Sequence, residues 1–147
     1  MDQSSTVGRA VMGFVAGALS VVTLFFAAWA AVRAAGFIPA TAPPIWAMDG
    51  VPPFGVPKAI NLAFWGGVWG LVLNMIFGGL RGAGYWLAWI LAGAIAVAGV
   101  AIFVVPAIKG LPIANLTPQR FMISGFLNGI FGLGAAIWLR LVSRAGV

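Results

Sequence analysis

The sequence predicts an all-α integral membrane bundle of four transmembrane helices, and three observations carry that prediction. First, 63% of the 147 residues are apolar and only 7% are charged, with a mean hydropathy of +1.10. A soluble domain carries about a quarter charged residues, so this chain could not cover its surface with polar groups in water. It suits lipid as solvent. Second, basic residues punctuate long uncharged runs: 23 residues separate Arg9 from Arg33, 22 separate Lys58 from Arg81, 27 separate Arg81 from Lys109, and 19 separate Arg120 from Arg140. Each run fits the roughly 20 apolar residues that cross a hydrocarbon core. Third, backbone amides cannot go unpaired in lipid, so the crossings are helices.

These runs place helices near 10–34, 58–80, 84–108 and 119–141, in a single four-span domain over 1–147. The first span contains Ala28-Trp29-Ala30, which imitates a signal cleavage site. Its apolar run is much longer than a signal h-region and its positive n-region is weak, so it reads as an uncleaved helix. The loop over 35–57 contains six of the nine prolines and is expected to be extended and turn-rich, because proline removes donors and fixes φ. Phe37, Trp46 and Phe54 make it apolar for a loop. It is read as lying at headgroup level with Trp46 as an interfacial anchor, in preference to a lid over the bundle mouth. The face with both termini collects Arg9, Arg81, Arg140 and Arg144; the other collects Arg33, Lys58, Lys109 and Arg120. With the basic residues tied between the faces, the positive-inside rule does not set the orientation. Cytoplasmic termini are favoured only because the proline-rich loop is expected outside.

Composition also excludes chemistry. There is no cysteine and no histidine, and Asp2 and Asp49 are the only carboxylate side chains. That removes thiolate nucleophiles, zinc sites, the commonest general base and paired-carboxylate catalysis. No cofactor or metal is expected. A net charge of +6 would suggest nucleic acid in a soluble protein, but these basic residues are dispersed singly and read as membrane-end anchors.

The chain also reads as an internal duplication. Gly67-Val68-Trp69-Gly70-Leu71 in the second span matches Gly129-Ile130-Phe131-Gly132-Leu133 in the fourth, at an offset of 62. Ala16-Gly17-Ala18-Leu19 in the first matches Ala92-Gly93-Ala94-Ile95 in the third, at an offset of 76, which also sets Arg33 on Lys109. Pro57 and Pro118 open the second and fourth spans. Each half holds two spans, so this is a parallel two-plus-two repeat about an axis along the membrane normal.

Glycines recur at packing intervals: Gly13 and Gly17, Gly66 and Gly70, Gly125 and Gly129, with Gly132 beyond. Such small-xxx-small spacing lets helix backbones approach closely. Gly66, Gly70 and Asn74 fall on one stripe, with Asn61, Trp65 and Trp69 on its neighbour, while Gly125, Asn128 and Gly132 share a face. The glycine faces of the second and fourth spans are expected to meet near the axis. Asn74 and Asn128 are expected to bond across helices; the functional alternative is that they line a polar path or ligand site with Ser124, Trp65 and Trp69.

The strings VPPFGVPKAINLAFWGGVWGL, GYWLA and NGIFGLG resemble a family of small, uncharacterised four-helix inner-membrane proteins of proteobacteria, with a likeness covering most of the chain from Arg9 onward. The resemblance implies a bacterial inner membrane and a self-contained four-span unit, and carries no activity or ligand. The expected function is non-enzymatic: packing as a homo-oligomer or as an accessory subunit of a membrane complex, with lipid, itself or another membrane protein as partner. The alternatives are a passive channel or carrier for a small neutral solute, or a lipid- or pigment-binding protein.

Overall fold

Ser5 sets the start of the first helix: its Oγ accepts from the Gly8 N–H at 2.9 Å, the usual way of satisfying a first-turn amide. The computed structural model describes residues 5–39, 41, 46, 48, 50–51, 55–108, 110 and 118–145. Four helices long and apolar enough to cross a membrane follow in order: α1 Thr6–Ala34, α2 Lys58–Phe77, α3 Gly82–Val104 and α4 Pro118–Ala145. α3 continues through one further α-helical turn, Val105–Ile108.

The ends differ from the sequence expectations for local reasons. α1 starts before residue 10 because Ser5 caps it. α2 stops at Phe77 rather than 80 because Gly78 and Gly79 turn the chain, the Gly78 N–H donating to the Asn74 carbonyl at 2.9 Å. α4 runs past residue 141 to Ala145, because Arg140 does not end the helix but folds back onto its neighbour. α1 ends at Ala34, and just beyond it Gly36, with a φ of +91°, lets the Phe37 N–H reach the Val32 carbonyl at 3.2 Å, a glycine-dependent stop.

Of the proline-rich loop, the described residues include a short antiparallel pair, β1 Gly50–Val51 with β2 Val56–Pro57. Gly55, at φ +71°, lies in the turn between them. Trp46 rests on the flank of α1, 5.3 Å from Trp29 and 6.1 Å from Phe26 between ring centroids. Phe54, Asp49, Asp2 and Lys109 lie outside the described residues.

Helix pairing follows side-chain size. α1 lies along α2 on one side and α4 on the other, and α4 lies along α3. The fourth side of this up-down-up-down bundle, between α2 and α3, is wide. Leu73 and Trp69 from α2, with Tyr85 and Trp89 from α3, contribute bulk there to a buried cluster shared with Met12, Ala16, Ala135, Ala136 and Leu139. A second cluster joins Val21, Val97 and Phe131, with Trp69 against it. The expected meeting of the α2 and α4 glycine faces therefore does not occur: α2 turns its glycines to α1, α4 turns its own chiefly to α3, and aromatic rings occupy the middle.

At the α1–α2 seam the contact is backbone on backbone. A methyl added to Gly17 would collide with the Gly66 carbonyl, one on Gly70 with the Gly13 carbonyl, and one on Gly13 would stand 2.6 Å from the Gly70 oxygen. At the α3–α4 seam a methyl on Gly93 would strike the Asn128 carbonyl and one on Gly132 the Trp89 carbonyl. Gly125 and Gly129 lie looser, with Ala94 atoms 3.6 and 3.5 Å from where their Cβ atoms would be. α1 and α3 both widen into π-helical turns, over Val21–Phe25 in α1 and over Ala92–Val97 and Val100–Val104 in α3. In α1 the Thr23 hydroxyl donates to the Leu19 carbonyl one turn back, a local bond that loosens the regular ladder.

Gly70→Leu is expected to cost about 3 kcal/mol by overpacking, because Gly17 backbone atoms lie 2.8 Å from the site of the new Cβ. Val72→Leu, on the 40% exposed outer face, is expected to be within about 0.5 kcal/mol of the parent. Thermal unfolding of the two variants in detergent checks this, and equal stabilities would contradict the seam.

Candidate functional site

The α2 stripe places Asn74 against the start of α1, fully buried. Its Nδ2 donates to the Arg9 carbonyl at 2.7 Å. The Arg9 guanidinium donates back to the Asn74 and Met75 carbonyls at 2.9 and 3.2 Å. This reciprocal latch gives the Asn74 carbonyl, which already accepts from the Gly78 N–H, a second donor, adds one to the Met75 carbonyl and sets a cation at the negative pole of α2. Asn74 is thus an interhelical bond, as its position in an apolar run suggests.

Asn128 is not. Its Nδ2 donates to the Ser124 carbonyl at 2.9 Å and lies 3.4 Å from the Ser124 hydroxyl. Both groups belong to α4, one turn apart. The expectation that Asn128 bonds across helices is corrected: its own backbone carbonyl forms the α3 seam, and its amide turns back along α4. Asn74 lies on the α1–α2 seam and Asn128 on the α3–α4 seam. Trp65 is 53% exposed with its ring edge-on to Phe64, whereas Trp69 packs against both core clusters. The five candidate residues therefore do not converge on one point: Asn128 and Ser124 are adjacent, and Asn74, Trp65 and Trp69 are placed separately.

Hydroxyls supply the remaining ties between helices. Ser20 Oγ donates to the Phe131 carbonyl at 2.7 Å, joining α1 to α4. Trp138 Nε1 donates to Thr23 Oγ1 at 2.9 Å across the same interface. Tyr85 OH donates to the Ala136 carbonyl at 2.7 Å, joining α3 to α4. Trp89 is fully buried, and its Nε1 has no hydrogen-bond partner among the described residues.

Basic residues whose dispersal in the sequence suggests simple anchors gather at the end of the bundle where α1 begins. The Arg140 guanidinium lies over the Tyr85 ring at 4.1 Å, a cation–π contact strengthened by desolvation. Arg140 Nε is buried without a hydrogen-bond partner among the described residues. Arg140 and Tyr85, with Gly78, Gly79, Arg81 and Ser143, line a cavity of about 140 Å³. An open groove adjoins it at Arg140, lined also by Gly82, Trp86, Ile137 and Leu141. The described residues contain no carboxylate side chain, so neither Arg81 nor Arg140 is neutralised by an acidic side chain among them. The order of the spans puts Arg81 and Arg140, 59 positions apart, on one face, but nothing in the linear order marks a cavity between them. The one local signal is the Gly78-Gly79 turn, which brings Arg81 back beside α4.

Comparison with family models, with curated proteins and with solved structures gave no match to the chain.

Asn74→Leu is expected to lower stability by about 1 kcal/mol, in the range of measured interhelical bonds, because it leaves the Arg9 carbonyl without its donor. Asn128→Leu is expected to cost less than about half of that, since only an intrahelical bond is lost. Chemical or thermal unfolding of both variants checks the order; the reverse order would contradict these assignments.

Proposed function

We propose that the protein is a multi-pass protein of a bacterial inner membrane, with cytoplasmic termini, that acts without catalysis as a preassembled packing unit. It works as a homo-oligomer or as an accessory subunit of a larger membrane complex. The membrane reading is supported by where the apolar surface lies. Only 28% to 44% of each helix's most apolar stretch is buried inside the chain, and Phe64, Ile76, Leu87, Ile95 and Phe126 are among the residues facing out. Water does not tolerate an apolar exterior of that extent, whereas lipid matches it.

The unit itself is read as two duplicated helical hairpins, and one observation carries that reading. Under the offsets of 76 and 62, Gly17 on Gly66 becomes Gly93 on Asn128, and Gly70 on Gly13 becomes Gly132 on Trp89. Both pairs are carbonyl contacts of the same kind. The midline cluster is consistent with the same offsets: it contains Val21 with its counterpart Val97, and Phe131 with its counterpart Trp69 packed against the cluster. The exchange of Gly66 for Asn128 also has a reason. A Cβ on Gly66 would meet Val21 of α1 and Phe131 of α4, because α1 and α4 are close. Position 128 sits beside the wide side of the bundle, so a side chain is tolerated there.

This arrangement supports packing over a solute path, because both amides are already engaged with backbone carbonyls on separate seams. The glycines are used within one chain, which leaves the outward apolar faces for neighbours. Gentle extraction from native membranes, followed by sizing and partner identification, is expected to give a species larger than one chain. A strictly monomeric species without a partner would contradict the proposal. Solute flux in proteoliposomes that falls on Asn128→Leu substitution would favour a channel or carrier instead.

A further inference from the structure

The cavity between the α2–α3 turn and the end of α4 is chemically unlike the rest of the molecule. Two guanidiniums, Arg81 and Arg140, line it together with the Ser143 hydroxyl and the Gly78-Gly79 backbone. Arg140 is fixed in place by stacking on Tyr85, and Tyr85 is itself held by its bond to the Ala136 carbonyl. The first turn of α3 opens beside this cluster with no side-chain cap, so its amides and positive pole face the same region. Positive charge and donors converge here, with no acidic side chain among the described residues. Guanidiniums meet phosphate oxygens in a matching fork geometry.

We propose that this cavity binds a phosphate group, carried by an anionic phospholipid or free in solution. The cavity of about 140 Å³ has room for a phosphate and its first ester carbons. The adjoining groove, with Trp86, Ile137 and Leu141, continues from Arg140 along the apolar exterior, which is the path a glycerol backbone and acyl chain would take. Arg81 and Arg140 hold the phosphate oxygens and Tyr85 positions Arg140, while the Ser143 hydroxyl donates to the Arg140 carbonyl at 3.1 Å. The lipid source rests on the membrane reading above; binding of free phosphate does not.

The test uses the full chain in a nonionic detergent. In one arm, thermal stability is followed against inorganic phosphate, with sodium chloride at equal ionic strength as reference. In the other, native mass spectrometry follows retention of phosphatidylglycerol against phosphatidylcholine. Saturable stabilisation by phosphate identifies the free anion as a ligand; selective retention of phosphatidylglycerol alone identifies the lipid headgroup. Arg81→Gln, at an exposed position, is expected to weaken binding about tenfold, the scale of one charge-assisted bond. Arg140→Gln is expected to abolish it, and Arg33→Gln, at the opposite end of the bundle, to leave it unchanged. If Arg140→Gln fails to fold, Arg81→Gln decides the matter. No selectivity in either arm, or equal losses from Arg33→Gln and Arg81→Gln, would overturn the proposal.

Discussion

The close approach of helix backbones at glycine is the constraint on which the rest of this structure depends. Lipid offers no hydrophobic drive for helices to associate, since acyl chains are as apolar as leucine. What remains is dispersion between surfaces that fit, and it falls off steeply with any gap. At Gly17 and Gly66, and at Gly93 and Gly132, the fit is so close that a single methyl group has no room. Everything bulky is thereby forced elsewhere. Trp69, Tyr85 and Trp89 gather on the side where α2 and α3 stand apart, and Phe64, Leu87 and Phe126 face outward.

Polar groups complete what the glycines begin. Each interhelical hydrogen bond gives only about 0.6 kcal/mol on average in a membrane protein, so none of them holds the bundle alone. Their value is in position. Asn74 with Arg9 latches α1 to α2 at one end, Ser20 ties α1 to α4, and Tyr85 ties α3 to α4. Each acceptor is a backbone carbonyl, so each bond fixes a register between helices rather than a pair of mobile side chains.

The four helices long and apolar enough to cross a membrane are legible in the sequence because length and hydropathy are local properties, and the basic residues mark the intervals. The stripe of Gly66, Gly70 and Asn74 is legible for the same reason: helical periodicity puts them on one face. Its partner is not. A small-xxx-small pattern occurs on several helices and names no mate, so the α2 and α4 faces look complementary in sequence although each turns mainly to the other member of its own hairpin. Asn128 illustrates the same limit, because nothing in its spacing distinguishes a bond across helices from one to Ser124 on its own helix. The Arg81–Arg140 cavity is invisible in the sequence for a different reason: it depends on a turn, a stacking contact and a helix that continues past Arg140.

α1 pairs with α2, and α3 with α4, through glycine seams within one chain. The protein has no cysteine, so a disulfide can be introduced on a clean background. Ala94 Cβ lies 3.5 Å from where a Cβ on Gly129 would sit, within the span a disulfide bridges. The double variant Ala94→Cys with Gly129→Cys is expected to close an intramolecular disulfide in the membrane under mild oxidation, leaving a monomeric band with altered mobility. Failure to close that bond, with crosslinking instead between the outward positions in Trp65→Cys with Phe126→Cys, would contradict the account.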